Sequence, residues 1–205
     1  MTNEMARASD SLGVGVASVL REGAFGTTHW RVDRWDAEQT AWMKRRTGLA
    51  APEAIDFRHL QIAPYRVSEL VGNLITNAGW TRLMNLLTNQ GATQALDATH
   101  ARIGVGNSNT AEAYADTDLG AAAGSANRWF QLVSGAGSLG TRTLAFSATF
   151  GTSDGNFAWN EFGLDFGTAS GNTVTAPLFN HKAGIAQGTK ASGQTWTATA
   201  TITFS

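Results

Sequence analysis

The sequence predicts a mainly β protein, an antiparallel β-sandwich or jelly-roll-like domain with one preceding amphipathic helix and an extended N-terminal arm. Three observations predict it. The chain ends in an unbroken alternation from Thr195 to Phe204, with Trp196, Ala198, Ala200, Ile202 and Phe204 on one face and five threonines on the other. From Gly91 onward, short runs of β-branched and aromatic residues are separated by Gly, Asn, Ser and Asp. No helical pattern falls between those runs, so the crossovers that a parallel sheet requires are missing.

Taken in order, the first element is the arm, residues 1–70. It holds nine Lys/Arg and nine Asp/Glu, leaving six and seven for residues 71–205, which form the helix and sandwich domain. Within the arm, Asp36 to Arg46 reads as a helix capped by Asp36, with a thin apolar face. Trp30, Trp35 and Trp42 are more aromatic surface than such a segment buries against itself, so they are expected to be covered by the main domain or by another subunit. Trp30, Trp35, Trp42, Arg45 and Arg46 are therefore the candidate partner interface. The basic run Lys44-Arg45-Arg46 has Asp36, Glu38 and Trp42 beside it and reads as a solvated helix face, not a phosphate clamp.

A second helix starts at an N-cap at Thr76 or Asn77, carries Trp80, Leu83, Met84 and Leu87 at three- and four-residue spacing, and stops at the Thr88-Asn89-Gln90-Gly91 turn. Strands are expected at Ala101 to Val105 and Arg128 to Val133. Thr141 to Phe150 alternates strictly, with Leu144, Phe146, Ala148 and Phe150 on one face. The turn from Gly151 to Asn156 leads into Phe157 to Phe166, and the two runs are expected to form a hairpin, with Phe162, Leu164 and Phe166 opposite Glu161 and Asp165. A ten-residue strand at the C-terminus spans roughly 33 Å and is expected to close the domain.

Bulk properties narrow the function. A length of 205 residues suits one good-sized domain with an appendage. The absence of cysteine removes disulfides, thiolate zinc sites and cysteine nucleophiles, and agrees with synthesis in a reducing cytoplasm. A net charge of −1 provides no field for gathering phosphates, so no nucleic-acid partner is expected. The apolar stretch from Leu12 to Leu20 follows Glu4, Arg7 and Asp10 and is interrupted by glycine, so no secretion signal is read there. No run approaches the roughly 20 apolar residues of a membrane helix, and a soluble protein is expected.

The chemical readings each fall short of a centre. The histidines are His29, His59, His100 and His181, none in a motif that positions a serine. Asp97 with His100, or Asp116 and Asp118 near Glu112, would suit a metal, but the EF-hand spacing is incomplete and turn residues explain them. Gly104-Val105-Gly106 lacks the helix and lysine of a phosphate loop and reads as strand-end glycines. Glu161 with Asp165 or Asp154 would be the glycosidase pair, yet nothing in the strand pattern raises either pKa. Trp159 falls on the Glu161 face and is the candidate for stacking on a sugar ring in a carbohydrate-binding module. No enzyme, cofactor or metal is expected.

A resemblance is carried by an ordered set of short segments. The succession runs through Gly72-Asn73-Leu74-Ile75-Thr76-Asn77-Ala78-Gly79, Ala101-Arg102-Ile103-Gly104-Val105-Gly106-Asn107-Ser108 and Thr117-Asp118-Leu119. It continues with Ala148-Thr149-Phe150-Gly151, Asn156-Phe157-Ala158-Trp159-Asn160-Glu161-Phe162-Gly163, Asn180-His181-Lys182 and Gly188-Thr189-Lys190-Ala191-Ser192-Gly193-Gln194-Thr195-Trp196. Over residues 70–205 this order and spacing resembles tailed-bacteriophage virion structural proteins. The resemblance implies a non-enzymatic virion component assembled in the host cytoplasm. Such components occur on capsids and in tails. The aromatic-bearing arm makes the leading expectation a capsid decoration or cement protein bound to the major capsid protein lattice through its N-terminal arm, with a minor tail, baseplate or fibre-adaptor protein as the alternative. A lattice-binding role further implies a homo-oligomer, a trimer in the first instance.

Overall fold

The computed structural model describes residues 26–91, 95, 97, 99–134 and 138–204. The expected signal-free leader and the first third of the expected arm lie outside those residues. Strands β1 (Thr27–Trp35), β2 (Arg66–Val71), β3 (Leu74–Ile75), β4 (Ala101–Gly106), β5 (Arg128–Leu132), β6 (Ser138–Leu139), β7 (Thr143–Phe150), β8 (Glu161–Phe166), β9 (Asn180–Ala183) and β10 (Thr195–Thr203) form two sheets. One has the order β2-β1-β10-β7-β6 and the other β3-β9-β8-β4-β5. Every pairing of strands is antiparallel, and the chain is a mainly β sandwich.

The C-terminal strand organises the first sheet. β10 lies between β1 and β7, so its apolar face meets Trp30 and Val32 on one side and Phe146, Ala148 and Phe150 on the other. Alanines at 198 and 200 keep the middle of that row thin, leaving depth for Trp30, whose ring stacks on Phe162 of the second sheet at 4.7 Å. Trp159 fills the neighbouring space, edge-on to Phe150 and Trp196 at 4.7 and 4.9 Å.

Two expectations are corrected here. The arm as far as residue 70 is not a separate appendage beyond Gly26, because β1 pairs with β10 along nine residues and with β2 on its other edge. The runs ending at Phe150 and Phe166 do not form a hairpin either. β7 belongs to the first sheet and β8 to the second, and the turn after Phe150 carries the chain across the core. Both runs have one strongly apolar face, and in a sandwich two such faces are buried by opposing each other across the core as readily as side by side.

Helices α1 (Ala37–Thr47) and α2 (Ala54–His59) are inserted between β1 and β2. α1 begins with a capping box, in which Asp36 accepts from the Gln39 N–H and Gln39 accepts from the Asp36 N–H, and it ends at the left-handed Gly48. These helices close a small second core of Trp35, Met43, Ala54 and Phe57, with Trp35 stacked on Phe57 at 4.4 Å. α3 (Asn77–Thr88) follows Thr76, whose hydroxyl accepts from the Gly79 N–H, and stops at left-handed Asn89. Gly79 lies so close to the Phe179 carbonyl that a Cβ would sit 2.0 Å from it, which seats the helix start against the strand entering β9. Leu83 packs on the core, whereas Met84 and Leu87 stay exposed. No described helix is long and apolar enough to cross a membrane.

Candidate functional site

The two sheets treat their outer faces differently, and this decides where the candidate residues end up. On the first sheet the outer face is open over part of its length, where Ser147 bonds Thr199 at 3.1 Å and Arg31 pairs with Asp33 and Glu69, while Thr195, Thr197 and Trp35 towards the helical insertion are buried. On the second sheet the outer face is covered by the loops 107–127 and 167–179, so every residue of β4 and β8 is buried. Leu119 lies on paired glycines: Gly104 stands opposite Gly163, and a Cβ at those positions would be 3.2 and 3.1 Å from it. Gly106 leaves room in the same way for the Glu161 carboxylate, 2.2 Å from where its Cβ would be. Close approach of this covering loop explains the glycines that resemble a fragment of a phosphate loop.

The covering loop is tied down by ions. Glu161 is fully buried and accepts from the backbone N–H groups of Gly120 and Ala121 at 2.7 and 2.8 Å. Its other contact is His181 Nε2 at 2.9 Å, and His181 Nδ1 lies 2.6 Å from Asp116. Burial works against charge on the imidazole, but hydrogen bonds to Glu161 and Asp116 outweigh it and hold the His181 pKa above its ordinary value. Glu112 accepts from Lys182 Nζ at 3.0 Å and from the Ala183 N–H at 3.1 Å, and Asp118 accepts from Arg128 at 2.6 Å. Glu112, Asp116 and Asp118 therefore diverge to three different cations instead of converging on one metal. Asp97 is used locally, accepting from the backbone of Thr99 and His100 and lying 2.8 Å from the His100 ring.

Asp165, expected on an exposed face beside Glu161, is also fully buried. It holds Arg102 through both carboxylate oxygens, and Arg102 reaches on to the Ala169 and Thr173 carbonyls at 2.9 and 3.0 Å. Burial raises the Asp165 pKa against the lowering effect of Arg102. As a glycosidase pair these two carboxylates are unsuited, since the contacts of each are already taken up in fastening a loop. The expected sugar platform is corrected as well: Trp159 is fully buried, and its indole N–H donates to the Gly155 carbonyl at 2.9 Å. Strand alternation puts Trp159 with Glu161, but β8 begins only at Glu161, and in the irregular chain before it the alternation does not apply.

Of the five candidate interface residues, Trp30 and Trp35 are buried in the chain's own two cores and are not available to a partner. Both owe this to β1, which lies inside a sheet. Trp42 is 43% exposed and forms an open cleft on α1 with Asp36, Glu38, Gln39, Arg45 and Ile62. Arg46 is exposed next to it, while Lys44 turns back to Thr152. Leu49, Ile55, Leu60 and Tyr65 are each at least 40% exposed in the same inserted segment. This concentration of exposed apolar groups with arginines is the surface feature with the form of a docking site. Sequence reasoning found Trp42 and Arg45 here and missed the four others, which are spread over the short α2 and the loops around it without periodicity. It also missed His181 as a hub, because the carboxylates that it joins come from parts of the chain distant from it in sequence.

No family model, curated protein or solved structure matches this chain.

Proposed function

We propose that this chain is a non-enzymatic structural protein of a bacteriophage virion, a capsid decoration or cement protein that binds the major capsid protein lattice through the α1–α2 insertion. The observation that carries this reading is the exposed cleft of that insertion, lined by Trp42, Arg45 and Ile62 among others, in a segment that also exposes Arg46, Leu49, Ile55, Leu60 and Tyr65. Tryptophan, tyrosine and arginine are the residue types that most often carry binding energy in protein interfaces. The ordered motifs over residues 70–205 support the virion assignment, and the use of the buried carboxylates as loop fasteners supports a binding role. The open part of the threonine-bearing face of the first sheet suits modest, partly polar contacts between copies in a homo-oligomer, a trimer in the first instance.

Antibodies raised against the purified chain are expected to label phage particles from the organism that encodes it as a regular array over the head. Labelling confined to one vertex would favour the alternative of a minor tail, baseplate or fibre-adaptor protein, and particles without label would remove the virion reading. A Trp42→Ala/Arg45→Glu double variant should keep the fold and cooperative melt of the parent, because neither side chain belongs to a buried core, and should fail to join the head array. Full incorporation of that variant would exclude the insertion as the anchor.

A further inference from the structure

Lys190 has no exposed surface, although lysine is among the residues least often buried. Among the described residues no carboxylate lies within ion-pair reach of its ammonium. Its Nζ donates to the Gly151 carbonyl and to the side-chain carbonyl of Asn156, each at 2.7 Å. The Asn156 amide is itself held, its Nδ2 donating to the Thr152 carbonyl at 3.0 Å, so that its oxygen faces the lysine. Asp154 completes the turn, accepting from the N–H of the same Gly151 at 3.2 Å. An amine, an amide carbonyl and a carboxylate are thus gathered on one six-residue turn, with the amine delivered from a loop distant in sequence.

We propose that Lys190 and Asn156 become joined by an intramolecular amide bond, formed spontaneously once the chain has folded. The unprotonated Nζ attacks Cγ of Asn156, a C–N bond forms, and the original bond from Cγ to Nδ2 breaks. The proton given up by Nζ passes to the departing nitrogen, and ammonia leaves. No oxidation state changes, so the step needs no oxidant or second substrate. Two features of the turn favour it. Burial brings the Lys190 pKa down to about 8, the pull of Asp154 offsetting only part of the effect, so about a tenth of the side chain is free amine at neutral pH. Holding amine and carbonyl in contact also supplies the proximity that makes an otherwise slow reaction between weak partners proceed. The product removes a buried charge and fastens the turn at 151–156 to the loop at 186–193, a covalent staple in a chain without cysteine.

The test is the intact mass of the full-length chain, measured after unfolding in acid, with peptide mapping. The folded parent should be one ammonia lighter than its sequence requires, resist trypsin after Lys190, and give a branched peptide joining Lys190 to Asn156. Lys190→Arg and Asn156→Ala should both keep the full sequence mass. Should those variants fail to fold, the parent chain supplies its own control: held in denaturant from synthesis it should keep the full mass, then lose ammonia on refolding. A folded parent at the full sequence mass, or a loss of ammonia with linear peptides only, would overturn the proposal.

Discussion

His181 shows how one side chain can set the behaviour of a loop. Among the described residues it alone bridges Asp116 and the buried Glu161, and Glu161 in turn holds the backbone of Gly120 and Ala121. Since its pKa is raised on folding, the protonated ring binds more tightly in the folded state. That stabilisation is fully present below its ordinary value of 6.5 and is lost as pH rises through the higher folded value. Urea melts of the parent and of His181→Gln should therefore differ most near about pH 6 and converge on the alkaline side, by an overall change of about 1–3 kcal/mol. A difference that stays constant with pH would mean that the ring is neutral in the native protein. Nothing in the sequence around Asn180-His181-Lys182 marks this role, because both carboxylates arrive from segments 20 or more residues away.

At the scale of elements, the parts legible in the sequence are those whose signal is local. β7, β10, α1 and α3 are read with bounds within about two residues of those observed, because alternation, helical spacing and caps are properties of neighbours in the chain. β1 is invisible to that kind of reading. Its sequence mixes Arg31, Asp33 and Arg34 with Trp30, Val32 and Trp35, and only pairing with β10, from the opposite end of the chain, shows that Trp30 and Val32 face a core. Mixed charge resembles an arm until a partner strand gives each residue a side. The consequence for truncation is direct. Removing residues 1–70 deletes β1 and all but the last residue of β2, strips β10 of a nine-residue partner and uncovers Ala198, Ala200 and Ile202. The remainder should lack the cooperative melt and near-ultraviolet tryptophan signal of the whole chain. A truncated chain that keeps both would show that the β1 register is dispensable.

For the molecule as a whole, the central pairing of the first sheet joins residues near Gly26 to residues near Phe204. Closing so long a loop costs chain entropy before any contact rewards it, and sandwiches dominated by such contacts fold in roughly milliseconds to seconds. Stopped-flow refolding monitored by tryptophan fluorescence should give a main phase in that range, since Trp30, Trp35, Trp159 and Trp196 all become buried with the sheets. A main phase completed within microseconds would require a nucleus confined to the helices. The site-level reading has the same division as the fold. Trp42, Arg45 and Arg46 are recognisable because they lie on one short helix, while the buried ionic fastenings join segments far apart in sequence.

The unequal covering of the two sheets also determines how freely their residues can drift. On the open face, a change from Thr199 to serine or valine alters one hydroxyl contact and leaves the backbone where it is. Beneath the covering loop, any side chain at Gly104 would run into the Phe130 ring, 2.6 Å from its Cβ, and would disturb Leu119 as well. Over many generations the exterior of one sheet is therefore free to acquire new neighbours by small steps, whereas the exterior of the other can change only if loop and strand change together.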